Sequence, residues 1–214
     1  MPVKTSKELT RREAVGAMGA AAALGPGALA GGTLPETQGV PRPAPRIARF
    51  ERMGYGLFLH WGLYSQLAAG EWALNARKTP SEKYLELMKT FTAKEFSGRK
   101  IARFAKQAGF RYVTLTSRHH EGFSLYDTRG LSDLDVTHTP AKRDLIEDFT
   151  EGCRAEGIVP MLYCTTLDWN DKRFESDWNG YLDYLHASIE LLCTRYGPIG
   201  GFWFRPRNEP SPSS

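Results

Sequence analysis

The 214-residue chain has the composition of a folded protein and not that of a disordered one. Apolar residues make up 41% of the sequence and aromatic residues 12%. At this length, such a composition predicts one domain with a proper hydrophobic core. The formal net charge is +4, but part of it belongs to an atypical first segment.

The first thirty residues have the three parts of an export signal. A charged stretch ends in Thr10-Arg11-Arg12, an apolar run of small residues covers 14–30, and Ala28-Leu29-Ala30 offers an A-x-A cleavage site. The paired arginines indicate the twin-arginine route. A membrane-spanning helix needs about 20 strongly apolar residues, and this run is too short and too rich in Ala and Gly. We therefore expect a signal peptide over residues 1–30 and a periplasmic or extracellular mature protein, free of the membrane.

Charge and cysteine content argue against several classes of protein. Residues 1–30 hold four basic and two acidic residues, so the remaining chain has a net charge of +2, which does not indicate nucleic-acid binding. The three cysteines are an odd number at wide spacing without a C-x-x-C motif, which argues against a disulfide framework and a zinc ribbon. We expect all three to be small buried hydrophobes: Cys153, Cys164 and Cys193.

Strand and helix patterns alternate after a flexible lead-in at residues 31–45, which is rich in Gly and Pro. Four short apolar runs are typical of strands buried on both faces: 55–62, 111–117, 157–166 and 199–204. Two helices are predicted from apolar residues spaced three or four apart. The first ends at Gly109 and has these apolar residues: Ile101, Phe104, Ala105 and Ala108. The second ends at Gly157 and has these: Leu145, Ile146, Phe149 and Cys153. A third helix is predicted over 181–196, with these residues inside: Leu182, Leu185, Ile189, Leu192 and Cys193.

This alternation predicts an α/β fold with parallel crossover connections. No Gly-rich phosphate fingerprint separates a predicted strand from a helix, so a dinucleotide-binding fold loses support. The other common solution is the (β/α)8 TIM-like barrel, which places its chemistry at the carboxyl ends of its strands.

Imidazole, carboxylate and aromatic side chains follow each predicted strand. Taken singly, a histidine or tryptophan here is compatible with ordinary packing, and His119-His120 is compatible with a metal ion, sugar hydroxyls or a helix start. Both histidines can reach one ligand only if the chain is already leaving the strand. Gly62 is predicted to let the backbone turn after the first strand. Aromatic rings alternating with multi-donor groups favour a sugar as the ligand, since the rings cover its C–H patches. A metal ion is less favoured, because the first strand supplies only one of the two histidines expected for a metal site.

Four stretches of the sequence resemble one enzyme family. They are GYGLFLHWGLYSQLAAGEW, YVTLTSRHHEGFSLYDT, HTPAKRDLIEDFTEGCRAEGIVPMLYCTTLDW and GGFWF. In order and spacing they are similar to the N-terminal part of the α-L-fucosidases of glycoside hydrolase family 29. The resemblance covers about Arg46 to Phe204.

The resemblance implies a (β/α)8-type catalytic barrel followed by a β-sandwich. The family cleaves terminal α-linked fucose of fucosylated glycans or glycosides with retention, without a metal or organic cofactor. The matching sugar contacts in this sequence are His60, Glu71, Trp72, His119, His120 and Tyr163. Trp203 falls at the aromatic position just before the nucleophile. That nucleophile is an Asp in a W-F-D-like stretch, whereas this sequence has Arg205.

Arg205 cannot form a glycosyl ester, because it carries no carboxylate and stays protonated. The stretch PRNEPSPSS after it has no helical or strand period. We therefore expect a barrel truncated after about the fourth strand and a non-family tail at 205–214, which a reading-frame slip would explain. The open sheet edges of such a half-barrel predict aggregation, a half-barrel dimer or degradation.

The sequence thus predicts an α-L-fucosidase-type hydrolase without an intact catalytic pair. The alternative is a non-catalytic fucose-binding protein. Glu71 and Asp168 are weak substitutes for the missing carboxylates, since the resemblance places Glu71 on sugar hydroxyls and nothing in the sequence positions Asp168.

Overall fold

The computed structural model describes residues 42–205. From Ala44 onwards these residues belong to one compact unit. The predicted signal peptide, most of the lead-in and the tail after Arg205 lie outside the described residues, so those expectations stay predictions.

Four strands and seven α-helices occur among the described residues. The strands are β1 (Gly56–Leu59), β2 (Tyr112–Arg118), β3 (Val159–Thr165) and β4 (Phe202–Arg205). The helices are α1 (Pro45–Met53), α2 (Ala73–Ala76), α3 (Ser81–Leu85), α4 (Gly98–Gln107), α5 (Leu145–Glu156), α6 (Arg173–Ser176) and α7 (Trp178–Arg195). Short 3₁₀ helices cover Leu63–Leu67, Glu86–Thr90 and Val136–His138. All four predicted strands and all three predicted helices are present.

Polar side chains fix where the long helices begin. Ser97 caps α4 by accepting a hydrogen bond from the Lys100 amide, and Asp144 caps α5 by accepting one from the Glu147 amide at 2.9 Å. Asp177 caps α7 in the same way. These side chains satisfy amides that have no partner within the helix. Gly157 ends α5 at a φ of 73°, a left-handed conformation that favours glycine.

The strands form one parallel sheet in the order β1-β2-β3-β4. Every connection is a crossover that contains helix, as strict alternation predicts. The strands thus follow one another in space as they do in the chain, which is the arrangement of successive units of a (β/α)8 barrel.

The two faces of the sheet differ in chemistry. One face packs its aliphatic side chains into the main hydrophobic core, and these include Val113, Leu115 and Leu162. The strand register sets the alternate residues on the opposite face, where Tyr163 pairs with Trp203 and Phe58 pairs with Thr114. Phe58, Thr114, Tyr163 and Trp203 therefore share a face with one another and not with the core.

The expectation that every strand is buried on both faces is wrong for β1 and β4. In β2 and β3, six of seven residues are buried, whereas β1 and β4 have none. The reason is position, because β1 and β4 are the edges of the described sheet and have one neighbouring strand each. Phe58 is 40% exposed and Trp203 is 55% exposed.

The contact between α4 and α5 corrects the predicted orientation of α4. Phe104, expected inside, is 61% exposed. The helix instead buries Gly98, Ala102 and Ala105. A Cβ on Gly98 would lie 2.2 Å from the Asp148 carbonyl oxygen of α5. The close approach of the two backbones therefore selects the small residues, and the larger Phe104 is turned outward.

One cysteine also departs from expectation. Cys153 and Cys164 are buried as predicted, but Cys193 is exposed. The buried side of α7 carries Tyr181, Tyr184, Leu185, Ser188 and Leu192. The two aromatic residues near its start rotate the packed face away from Cys193. Within residues 42–205, no helix has the length and apolar character that would cross a bilayer.

Candidate active site

The side chains that follow the strands meet in a cluster of rings at the carboxyl end of the sheet. His60 lies just after β1, and its ring centre is 5.5 Å from those of His119 and Tyr163. His119 and His120 follow β2 with ring centres 4.2 Å apart. The His119 ring stacks on Tyr163 at 5.7 Å. Together with Trp72, these residues are called the ring wall below.

The loop after β1 supplies Trp72 and Glu71. The Trp72 ring lies 5.3 Å from His120 and 5.2 Å from Trp169, which itself lies 5.2 Å from His120. Two tryptophans therefore flank His120. Glu71 is half-buried beside the ring wall, and its carboxylate opposes the fall in pKa that burial imposes on His60 and His119.

Trp61 takes no part in the ring wall. Its ring packs 5.2 Å from Phe91 and 4.9 Å from Phe96. Its backbone amide donates to the Thr116 hydroxyl at 3.0 Å, and that hydroxyl donates to the Trp61 carbonyl at 3.0 Å. Trp61 is thus a packing residue that ties the end of β1 to β2 and so fixes the position of His60.

Gly62 is required for space and not for a turn, which corrects the sequence interpretation. Its φ is 176°, an extended value open to any residue. A Cβ at this position would lie 2.9 Å from the Tyr64 ring and 3.3 Å from Oε1 of Glu121. The glycine leaves room for a buried carboxyl group behind the histidines.

The exit of β2 explains how two adjacent histidines reach one place. The β2–β3 register shifts between Thr116 and Arg118, which turns the Arg118 side chain toward the helices. The strand ends there, and Gly122 closes the following turn at a φ of 80° by donating to the His119 carbonyl at 3.0 Å. The Trp169 amide holds the His120 carbonyl at 2.8 Å. The chain has therefore left the strand at both histidines.

Thr165 determines the tautomer of His120. Nδ1 of His120 lies 2.6 Å from the Thr165 hydroxyl, which donates to the Leu167 carbonyl at 2.7 Å and accepts from the Leu167 amide at 3.0 Å. Because the hydroxyl proton is already used, Nδ1 of His120 must be the donor. Nε2 is then a bare acceptor, and it is buried without a hydrogen-bond partner in the described chain.

Both paired histidines are neutral at physiological pH. The pKa of His119 is lowered to about 3, mainly by burial, with the neighbouring His60 and Arg205 acting in the same direction. Burial likewise lowers the pKa of His120 to about 3, with His119 and Arg205 acting in the same direction. These rings therefore act as hydrogen-bonding groups and not as cations.

Glu121 is the residue that sequence reasoning did not select. It is 1% exposed, and Oε2 lies 3.3 Å from Nδ1 of His119. Burial is the main reason that the pKa of its carboxyl is raised to about 8; the Asp168 charge acts in the same direction, and the Glu121 amide and Arg118 oppose it. The available signal was its place in HHEGF, directly between two histidines and a glycine.

Asp168 is firmly positioned, contrary to expectation. Its carboxylate pairs with the fully buried Arg118 at 3.2 Å and accepts from the amides of Asn170 and Asp171 at 2.9 and 3.0 Å. Arg118 also donates to the Tyr184 hydroxyl at 2.9 Å. This buried pair ties the loop after β3 to the end of β2, so Asp168 has a structural task.

Arg205 lies beside the ring wall, over Trp72. Its guanidinium carbon is 5.0 Å from the centre of the Trp72 ring, a distance at which a cation is attracted to an indole face. Its charge lowers the pKa of His60, His119 and His120. Within residues 42–205, no three His, Cys, Asp or Glu side chains are grouped so as to hold a metal ion.

The fold and the site define a parallel α/β domain of the TIM-barrel class, with imidazole and aromatic side chains gathered at the strand ends. The family model described as Alpha-L-fucosidase matches residues 36–210. The chain belongs to the α-L-fucosidase family.

Relatives of known name cover the same part of the chain. The tissue α-L-fucosidase of Homo sapiens is 29% identical over 178 residues, which are 75% of this chain and 38% of that protein. Isoenzyme 1 of the α-L-fucosidase from Paenibacillus thiaminolyticus has a TM-score of 0.72 at 35% identity, covering 77% of this chain and 44% of that one.

A third relative is the family 29 α-L-fucosidase of Bacteroides thetaiotaomicron, solved as a trapped covalent intermediate in complex with 2-fluoro-fucosyl fluoride. It has a TM-score of 0.70 at 29% identity and covers 77% of this chain and 42% of that one. The chain thus spans less than half the length of each of these relatives. Its fold class is the one predicted from its sequence.

Proposed function

We propose that the chain binds terminal α-L-fucosyl groups of glycans at the ring wall. The observation that carries this is the set of rings gathered at the strand ends in a member of the α-L-fucosidase family. Aromatic faces can cover the C–H patches of a sugar while unpartnered polar atoms receive its hydroxyls. Nε2 of His120, buried without a hydrogen bond within residues 42–205, is suited to that task.

We further propose that this ring wall binds the sugar without cleaving it. Retaining hydrolysis needs a carboxylate nucleophile and a second carboxyl group as acid/base, about 5 Å apart. The resemblance assigns the nucleophile position to Arg205, whose guanidinium cannot attack carbon and whose charge opposes a cationic transition state.

The other carboxyl groups near the ring wall are poor substitutes. Glu121 keeps its proton at neutral pH because burial raises its pKa, and Asp168 is engaged by Arg118. Glu71 is the remaining carboxylate beside the ring wall, and its proposed partner is a sugar hydroxyl. Membership of a hydrolase family favours one alternative function, in which the chain hydrolyses the fucosyl bond with the help of Glu71.

Two parallel measurements separate these functions. The chain is incubated with a chromogenic aryl α-L-fucoside, and L-fucose is titrated by calorimetry. We expect binding heat without release of the aryl group. Release by protein freed of host enzymes would support the hydrolase and contradict the role given to Arg205, and absence of both signals would contradict the proposal. The matched pair His119→Asn and His186→Asn adds a control, because His186 is exposed on α7.

We also propose that residues 1–30 direct export by the twin-arginine route. The support is the Arg11-Arg12 pair before a run of small apolar residues. Changing both arginines to lysine in a fusion of residues 1–45 to a folded reporter should stop export. Unchanged export would exclude the twin-arginine route.

A further inference from the structure

Glu121 and His119 bring two buried polar atoms together. Nδ1 of His119 lies 3.3 Å from Oε2 of Glu121, and each side chain is 2% exposed. Neither atom has a hydrogen bond within the described residues, and an unpaired buried polar atom is costly. The two atoms lie within hydrogen-bonding distance of each other but are not aligned as a hydrogen bond.

The protonation states determine which atom donates. Burial raises the pKa of the Glu121 carboxyl to about 8 and lowers that of His119 to about 3. At neutral pH the carboxyl therefore carries a proton and the imidazole is neutral. If the carboxyl O–H donates to Nδ1, the single proton of the imidazole must be on Nε2.

We infer that Glu121 is a positioning residue that holds His119 in its Nε2–H tautomer. Thr165 holds His120 in the opposite tautomer, with its proton on Nδ1. The histidine pair therefore offers one donor, Nε2–H of His119, and one acceptor, Nε2 of His120. One sugar hydroxyl can accept from the first and donate to the second. That last step rests on the proposed fucose binding, whereas the tautomer assignment does not.

Titratable groups from several elements surround Glu121. The groups that face it are Arg118 of β2, Tyr163 of β3, Tyr64 of the first 3₁₀ helix, Tyr84 of α3 and Asp168 of the loop after β3. Burial raises the pKa of all three tyrosines, so they stay neutral, and Arg118 and Asp168 neutralise each other. The groups that face His119 are His60, His120, Glu71 and Arg205.

Raising the pH through the Glu121 pKa reverses the arrangement. When the carboxyl releases its proton to solvent, the carboxylate can only accept hydrogen bonds. The imidazole proton of His119 then moves to Nδ1, where it is donated to the carboxylate. Nε2 becomes an acceptor, so both histidines present acceptors and the pair no longer matches a single hydroxyl.

Nitrogen NMR of the histidine rings tests the inference without any sugar. Long-range proton–nitrogen spectra of the ¹⁵N-histidine-labelled chain distinguish a protonated ring nitrogen from a bare one, and His119→Asn assigns the signal. Measurements are made one to two pH units on either side of the Glu121 pKa of about 8. We expect Nε2–H below it and Nδ1–H above it in the wild type. The E121Q variant, whose amide donates at every pH, should keep Nε2–H throughout.

Other outcomes overturn the inference. These are a proton on Nδ1 of His119 at the lower pH, no tautomer change in the wild type, or the same change in E121Q. E151Q is the matched control, because Glu151 is exposed on α5, and it should behave as the wild type. If E121Q does not fold, the wild-type titration still decides.

A second measurement links the tautomer to sugar binding. L-Fucose should bind the wild type about tenfold more weakly above the Glu121 pKa than below it, the size of one lost hydrogen bond, and binding to E121Q should not change. Equal pH dependence in the two proteins contradicts the inference. If neither protein binds L-fucose, the proposed function fails while the NMR result stands on its own.

Discussion

Nδ1 of His120 lies 2.6 Å from the hydroxyl of Thr165, and this contact fixes one half of the hydrogen-bonding pattern in the ring wall. Replacing Thr165 by valine keeps the side-chain shape and removes the hydroxyl. We expect a loss of about 1–3 kcal/mol in the free energy of unfolding, because a buried donor loses its partner, and about tenfold weaker L-fucose binding.

Urea unfolding and calorimetry measure both effects of the Thr165→Val change. Thr194→Val is the control, since Thr194 is exposed on α7 and its hydroxyl bonds within the helix. Equal losses in the two variants would show that the Thr165 hydroxyl has no special task.

The buried pair of Arg118 and Asp168 should contribute more to stability than any exposed pair. Asp168→Ala leaves a fully buried guanidinium without its partner, which is expected to cost about 3–5 kcal/mol. Glu86→Ala removes the exposed contact to Lys89 and should cost at most about 1 kcal/mol. Chemical denaturation of both variants tests this difference, and a small effect of Asp168→Ala would argue against its structural role.

The free energy of unfolding should fall with rising pH between about 6.5 and 8. The folded-state pKa of Glu121 is raised to about 8 from 4.5, so the folded state holds a proton that the unfolded state has lost, and stability decreases as pH rises through this window. The depressed pKa values of His119 and His120 act below this window, where stability is lost as pH falls.

The expected slope is up to about 1.4 kcal/mol per pH unit. It should be absent in E121Q and retained in E151Q, when urea unfolding is followed at several pH values. A slope of the same size in E121Q would assign the effect to another group.

A side chain at position 62 should lower the stability of the folded chain. Gly62→Ala places a methyl group against the Tyr64 ring and Glu121, and such overpacking costs about 1–3 kcal/mol. Gly201→Ala is the control, because its Cβ would meet only the flexible end of Met161. Thermal unfolding of the two variants should give a clearly lower midpoint for Gly62→Ala, and equal midpoints would contradict the account of the buried carboxyl.

Hydrophobic runs and helix signals were sufficient to predict the alternating strands and helices, because those patterns are local. The orientation of a helix about its own axis is harder to predict from sequence. Apolar periodicity predicts that Phe104 faces inward, yet the α4–α5 contact selects Gly98 and its small neighbours, which a search for large apolar residues does not detect. Periodicity likewise predicts a buried Cys193, but the buried Tyr181 and Tyr184 set the orientation of α7 about its axis.

The candidate site could be predicted as a set of residue types but not as a network of hydrogen bonds. Strand-end position was enough to select His119 and His120, whereas the family resemblance selected Trp72. It could not show that Glu121 is buried behind His119, or that Asp168 is paired with Arg118, because both facts depend on side chains distant in sequence. Burial of a carboxyl group changes its pKa, and the local amino-acid sequence does not show whether the group is buried.

Calorimetric titration of L-fucose, with its mirror image D-fucose as the reference ligand, tests the central claim most directly. Hydrogen-bonding atoms fixed by Thr165 and Glu121 should distinguish the two enantiomers. We expect saturable heat with L-fucose, little with D-fucose, and loss of the L-fucose signal in His120→Asn but not in His186→Asn. Equal heats for both enantiomers, or full binding by His120→Asn, would contradict a fucose site at the ring wall.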